Sequence, residues 1–300
     1  MANGDRTRRM GRMIRSGLRR YPRHLWESLV HHNRHHGHAP GAHPPGLEFD
    51  ASLGAVWLGH ATVLLHIADR WILTDPVFSH RVGPRVGKRT LGISRDRPMP
   101  VDPEHLPHID VVVISHAHFD HLDRPTLERL AHERTTVITA ERTGSLIPPG
   151  FASIIELCPG RAVHIGGLHI KAMPVAHWGS RVAVDRGRGC NAYTIESPDH
   201  RVVFAGDTAE TDAFDDIDGA NLAIFGIGAY EPWEHAHATP EQVWRMVNGI
   251  GAAYMMPIHH STFELSDEAP DDPMRRLLEV AGDDGSRIIG RTVGELWTHE

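Results

Sequence analysis

Two cysteines, Cys158 and Cys190, are all that the 300 residues contain, so no disulfide framework can be read and a reducing compartment is expected. No apolar run approaches the roughly 18 residues that a membrane-spanning helix requires. Arg8-Arg9 is not followed by the apolar segment of a secretion signal. There is no basic excess either: a formal net charge of −7 at pH 7 gives no general affinity for nucleic acid. No direct internal repeat is visible. A cytoplasmic location is the expectation, and the chain is long enough to bury a large core in one domain.

Charge is distributed unevenly along the chain. Residues 1–40 hold nine Arg against Asp5 and Glu27, about +7, which leaves about −14 for the remainder. Met10, Met13, Ile14, Leu18, Tyr21, Leu25, Trp26 and Leu29 recur among those arginines at near-helical spacing. One reading is a basic amphipathic helix that touches the inner membrane face, as a peripheral contact. The other is a helix packed on the domain or on a partner. His31, His32, His35, His36, His38 and His43 then lead into Pro44-Pro45, a tract read as a linker, with adventitious metal binding as its alternative. Residues 1–45 are expected to be a helical extension and linker, and 46–300 the main domain.

The informative segment is His116-Ala117-His118-Phe119-Asp120-His121, directly after the apolar run from Asp110 to Ser115. A buried strand ending in His-x-His-x-Asp-His delivers imidazoles and a carboxylate to one sheet edge. Those are the ligands of a borderline cation such as Zn²⁺. Further candidates each sit just past an apolar segment of strand length. His177 follows Leu168–Ala176, Asp207 follows Arg201–Gly206, and His259 follows Ala253–Ile258. Singly, a strand-end His is more often a hydrogen-bonded rim residue, and Gly-Asp more often a turn. His260 is as good a candidate as His259 on spacing alone.

In order and spacing these residues resemble the metallo-β-lactamase superfamily. The resemblance implies an α+β fold, a four-layer αββα sandwich with a two-metal site between its sheets. By position it implies His116, His118 and His177 for one metal, Asp120, His121 and His259 for the other, and Asp207 as the bridge. A narrower resemblance spans residues 47–280. Trp57-Leu-Gly-His-Ala-Thr-Val63, Thr74-Asp-Pro-Val-Phe-Ser79, Gly228-Ala-Tyr-Glu-Pro232, His237-Ala-Thr-Pro-Glu241 and Ile258-His-His-Ser-Thr-Phe263 are similar to blocks of one branch. That branch contains the N-acylphosphatidylethanolamine-hydrolysing phospholipase D and bacterial relatives. It favours His259 over His260, and it makes homodimers common.

Along the chain, strands are expected near 55–58, 62–67, 71–74, 136–139, 154–157, 163–175, 191–196, 201–205 and 221–227. Helices are expected over 124–133, 239–249 and 271–281, with a long loop over 80–108. Two adjacent divalent cations, zinc first and Mn²⁺ or Fe²⁺ as alternatives, would lower the pKa of a shared water towards neutrality. Asp120 would then bind metal and handle the nucleophile's proton, and His237 would serve as acid or oxyanion donor. His60 is expected to orient a ligand. Trp178 and Tyr230, with Phe78, Phe119 and Trp233, would line an apolar pocket or exclude water from the loops.

The expected activity is a phosphodiesterase of phospholipase D type on a lipid or small diester. The alternative is a lactonase or other carboxylic-ester hydrolase on the same centre. RNA processing would need a basic arm that only the N-terminus offers. A non-catalytic metal-binding protein is the remaining class.

Overall fold

The computed structural model describes residues 51–299 except 88, 183, 184 and 186, together with positions 11, 15, 22–24 and 26–28. The histidine tract at 31–43 and most of the basic segment lie outside the described residues; the described positions between 22 and 28 are helical. No described helix is long and apolar enough to cross a membrane.

The first sheet starts as an antiparallel meander of β1 (Leu53–Gly59), β2 (Thr62–Ile67) and β3 (Arg70–Thr74). Two small hairpins follow, β4 (Arg81–Val82) with β7 (Ile93–Ser94) and β5 (Arg85–Val86) with β6 (Arg89–Thr90). The sheet then grows in parallel through β8 (Val111–Ile114), α1 (Arg124–Leu130), β9 (Thr136–Ala140) and β10 (Ser153–Leu157).

The second sheet is laid down in the same manner. β11 (Ala162–Ile165), β12 (Leu168–Met173), β13 (Ala192–Glu196) and β14 (Arg201–Phe204) pair antiparallel in succession. β15 (Ala220–Gly226) and β16 (Ala252–Ile258) continue in parallel, with α2 (Pro240–Ile250) between them. After α3 (Asp272–Ala281), β17 (Leu296–His299) returns to pair antiparallel with β1. The strand orders are β10-β9-β8-β3-β2-β1-β17 and β11-β12-β13-β14-β15-β16. Each half therefore adds its strands in chain order, antiparallel first and parallel afterwards. Topology shows a repeat that the residues hide.

Burial explains why these strands read as continuous apolar runs. Successive side chains of a strand point to opposite faces, and here both faces are covered. Val111 and Val113 enter the core between the sheets, among Trp57, Leu65, Ile170, Tyr193, Phe204 and Ile224. Val112 and Ile114 enter the outer core, where Leu127 of α1 packs on Leu58 and Leu64. On the far side, Val243 and Val247 of α2 and Leu277 of α3 cover Val203, Ala223 and Phe225. The layers run helix, sheet, sheet, helix. Each fully buried Val or Leu stabilises the sandwich by about 1.5–3 kcal/mol, so a charge at Val113 would break it.

Local signals set the element ends. Thr239 and Gln242 form a reciprocal capping box around Pro240 at the start of α2, and Gly251, at φ 69°, stops it. The run expected as one strand over 163–175 is instead the hairpin β11/β12. Gly166 and Gly167 turn it at φ 56° and 88°, backbone that glycine adopts without a Cβ clash. The helix expected to reach 133 ends at Leu130, and β17 was not foreseen. In the first sheet β1, β3 and β8 run one way, as do β12, β14 and β16 in the second. Their ends define one rim of the sandwich.

Candidate metal centre

Each of those strand ends hands on a polar side chain. His60 follows β1, Asp75 follows β3, and the run from His116 to His121 follows β8. From the second sheet come His177 after β12, Asp207 after β14 and His259 after β16. His60, Asp75 and His259 adopt positive φ of 54°, 31° and 61°, conformations that cost a non-glycine residue about 1–3 kcal/mol each. The surrounding contacts hold them there. The His259 amide donates to the His60 carbonyl at 2.9 Å, and the Trp57 indole donates to the same oxygen at 2.8 Å. A Cβ on Gly206 would stand 2.6 Å from Ser115 Cβ, and one on Gly228 would stand 2.3 Å from the His259 carbonyl.

The donors converge in three overlapping groups, with the atoms of each group within 4.8 Å of one another. One holds His116, His118, His177 and Asp207; the second His60, Asp120, His121 and His259; the third Asp207, His237 and His259. Asp207 Oδ2 lies 3.8 Å from His116 Nε2, 3.7 Å from His177 Nε2 and 3.1 Å from His121 Nε2, while Oδ1 lies 3.3 Å from His259 Nε2. Asp120 Oδ2 faces His60 Nε2 at 3.0 Å and His259 Nε2 at 3.4 Å.

Asp75 was overlooked in the sequence. Fully buried, it accepts from the Ser115 amide at 2.7 Å, from the Ser115 hydroxyl at 2.6 Å, and from His121 Nδ1 at 2.7 Å. Ser115 Oγ in turn sits 2.9 Å from His116 Nδ1. One carboxylate thus orients two imidazoles through their far nitrogens, the usual way a protein fixes a ligand's tautomer. His177 Nδ1 donates to the Ala236 carbonyl at 3.0 Å for the same effect.

Electrostatics divide the histidines into two sets. Burial, then the neighbouring His121 and His118, holds His116 well below the usual range. Burial also lowers His118, takes His177 down to about 4 and His60 to about 3, and depresses His237 strongly. These rings are neutral at pH 7, the form that binds metal. Burial opposes the proton on His259 as well, but Asp207 and Asp120 outweigh it and lift that ring to about 9; His121 is raised in the same way. Burial would raise Asp120 and Asp207, yet the surrounding histidines, His121 foremost, hold both carboxylates well below their usual range.

The donor set fits divalent cations. His121 Nε2, His259 Nε2 and Asp207 Oδ1 are buried and have no hydrogen-bond partner among the described residues, although they lie close to one another. Buried polar atoms are rarely left so. Imidazole nitrogens and carboxylate oxygens converging without a thiolate suit Zn²⁺, Mn²⁺ or Fe²⁺.

The remaining sequence candidates fall on either side of this cluster. Trp178 stacks on His177 at 4.5 Å and is 42% exposed, at the rim of the group. His237 Nδ1 is 3.9 Å from Asp207 Oδ2. His260 turns away: its ring stacks on Trp57 at 4.6 Å and its Nδ1 meets Ser261 Oγ at 3.0 Å. Tyr230, expected to line the pocket, instead donates its hydroxyl to Asp272 of α3 and lies under the Arg276 guanidinium. It anchors a loop to a helix.

Comparison with known proteins places this geometry in company. A family model described as a beta-lactamase superfamily domain matches residues 70–260. An uncharacterized protein of Mycobacterium tuberculosis is 33% identical over 280 residues, 86% of this chain and 72% of that one. The N-acyl-phosphatidylethanolamine-hydrolyzing phospholipase D 1 of Caenorhabditis elegans is 27% identical over 274 residues, 83% of this chain and 76% of that one. Among solved structures, a metallo hydrolase of Ignicoccus hospitalis matches with TM-score 0.61 and 20% identity, over 83% of this chain and 98% of that one. At that identity the last likeness is one of fold.

Proposed function

The chain belongs to the beta-lactamase superfamily, as a metal-dependent hydrolase, and on that premise we propose that it cleaves phosphoric diesters in the manner of a phospholipase D, on N-acyl phospholipids or related diesters. The observation that carries this reading is the reach of Asp207. Its two oxygens lie 3.1–3.8 Å from ring nitrogens of both donor groups, so one carboxylate could serve two adjacent cation positions. Paired positions of that kind suit in-line displacement at phosphorus, where attacking and leaving oxygens both need charge stabilisation. The C. elegans phospholipase supports the lipid side of the reading.

In this reading His116, His118 and His177 would hold one cation, Asp120, His121 and His259 would hold the other, and Asp207 would serve both. Zinc is the first choice. When bound, the two cations would lower the pKa of a water between them and neutralise charge on the phosphoryl oxygens. Asp120 stays ionised and accepts the attacking water's proton at Oδ2, where His60 Nε2 fixes its orientation at 3.0 Å. His237 is kept neutral by burial, so it donates a hydrogen bond to a developing oxyanion rather than surrendering a proton. Trp178, stacked on His177, narrows the approach of solvent to the rim.

The test is turnover of metal-loaded protein on bis(p-nitrophenyl) phosphate and N-acyl phospholipids beside a panel of lactones, with Asp120→Ala as control. Diester hydrolysis that disappears in the variant is expected. Lactone hydrolysis without diester hydrolysis would replace this reading with a carboxylic-ester hydrolase on the same centre.

A further inference from the structure

A separate cavity of about 340 Å³ opens beside the loop that carries the His-x-His-x-Asp-His run. Three stretches line it: the small hairpins with Arg81 and Arg85, the start of α1 at Arg124, and the loop that bears Arg181. Phe119 forms part of its wall. Because Phe119 stands between His118 and Asp120, consecutive side chains of one loop face the cavity and the donor cluster.

Four arginines and two acids line the cavity, so the arginines outnumber the acids and the lining keeps a positive excess. Asp123 is committed to the Ser79 amide at 3.1 Å and the Thr126 hydroxyl at 2.5 Å. Glu128 forms a long, exposed ion pair with Arg85 at 3.7 Å, which solvent screens. Arg81 is buried; its Nη1 donates to the Gly92 carbonyl at 3.1 Å, while its buried Nε has no hydrogen-bond partner among the described residues. Arg181 lies 4.0 Å over the Phe119 ring and donates from Nη1 to the Ala117 and Leu122 carbonyls at 2.9 and 2.8 Å, which ties it to the metal-motif loop. Burial pushes Arg181 down to about 10, with Arg124 and Arg188 pressing the same way against Asp123.

Guanidiniums gathered around a concavity repel one another and favour an anion between them. Their planar fork matches phosphate oxygens in bidentate pairs. We infer that this cavity binds a phosphate group, and that this phosphate accompanies the diester cleaved at the neighbouring centre. The second part rests on the diester reading above; the first does not. The phosphate is carried either by the substrate itself or by an adjacent lipid headgroup.

The experiment uses the full chain and has a binding arm and a kinetic arm. Arg85 and Arg124 are exposed, so Arg85→Gln/Arg124→Gln leaves Arg81 and Arg181 holding their carbonyls. Calorimetric titration with inorganic phosphate compares metal-loaded wild type, this double variant and Asp207→Ala. The expected result is a binding event that survives Asp207→Ala and weakens at least about tenfold in the double variant. Equal binding in wild type and the double variant overturns the site. So does a wild type whose phosphate binding vanishes entirely with Asp207→Ala.

In the kinetic arm, kcat/KM for a diester bearing a phosphomonoester is divided by kcat/KM for bis(p-nitrophenyl) phosphate. A fall of about tenfold in that ratio in the double variant supports a phosphate carried by the substrate. An unchanged ratio with reduced sedimentation on phosphatidic acid vesicles supports the headgroup source. No change in either overturns the substrate inference. A wild type that turns over no diester, yet shows arginine-dependent phosphate binding, refutes the proposed function and leaves the site standing.

Discussion

The two halves of the sandwich are built by one rule and contribute to the centre in opposite ways. In the first half, four donors arrive together on the loop after β8, and Asp75 at the end of the adjacent strand β3 braces two of them. In the second half, His177, Asp207 and His259 arrive one at a time from three strand ends. The backbone, through the carbonyl of Ala236, orients His177. Equivalent scaffolds can thus deliver a site as one cassette or as scattered single residues. The cassette depends on a side-chain brace that mutation can remove, and the scattered donors depend on the fold itself.

Substitutions can break that comparison where it is sharpest. Asp207→Ala removes a donor that reaches both groups, so turnover should fall by roughly 10⁴-fold or more, and metal analysis should find both positions depleted. Asp120→Ala should cost about 10²–10⁴-fold in rate while retaining about half the metal, because only one group loses a ligand. Equal metal loss in the two variants would show that the centre assembles as a unit. His237→Ala should keep its metal and lose about 10²-fold in kcat; metal loss would make His237 a ligand.

Smaller effects sharpen the picture. Asp75→Asn should weaken metal binding by about 10–100-fold in a chelator competition, since His121 and His116 lose the group that orients them. An unchanged affinity would mean that the first half is held, like the second, by backbone alone. Proton release is the finest probe. In the metal-free chain His259 carries its proton up to about pH 9, and His121 is likewise raised, whereas the other cluster histidines are already neutral at pH 7. Metal must displace those protons, so loading at pH 7 should release about two, read from buffer-dependent binding enthalpies. The release should shrink as pH rises through 9. Release of none would place the protons elsewhere.

The same contrast decides what could be read from the residues alone. Four donors in six positions after an apolar run are legible because no ordinary core tolerates them. The single donors of the second half were legible only through the family resemblance, since each by itself reads as a turn or a rim histidine. Asp75 was invisible although its block was noticed: Asp-Pro after a strand reads as a turn, and its partners Ser115 and His121 lie 40 and 46 residues away. Tyr230 is ambiguous in the sequence, between pocket lining and loop packing, for the converse reason. It sits in a motif loop, but its partner Asp272 is 42 residues further on, in a helix. The 162–173 hairpin was missed because apolar alternation resumes on both sides of Gly166-Gly167.

Gly206 and Gly228 carry a different kind of consequence. A single methyl group would push into Ser115 of the first half at Gly206, and into the His259 carbonyl within the second half at Gly228. A saturation mutagenesis screen scored by activity would therefore report both positions as intolerant as the ligands themselves. Neither glycine offers a side chain to a metal or a substrate. Their intolerance would measure clearance, and a screen that scored folded protein beside activity would tell the two apart.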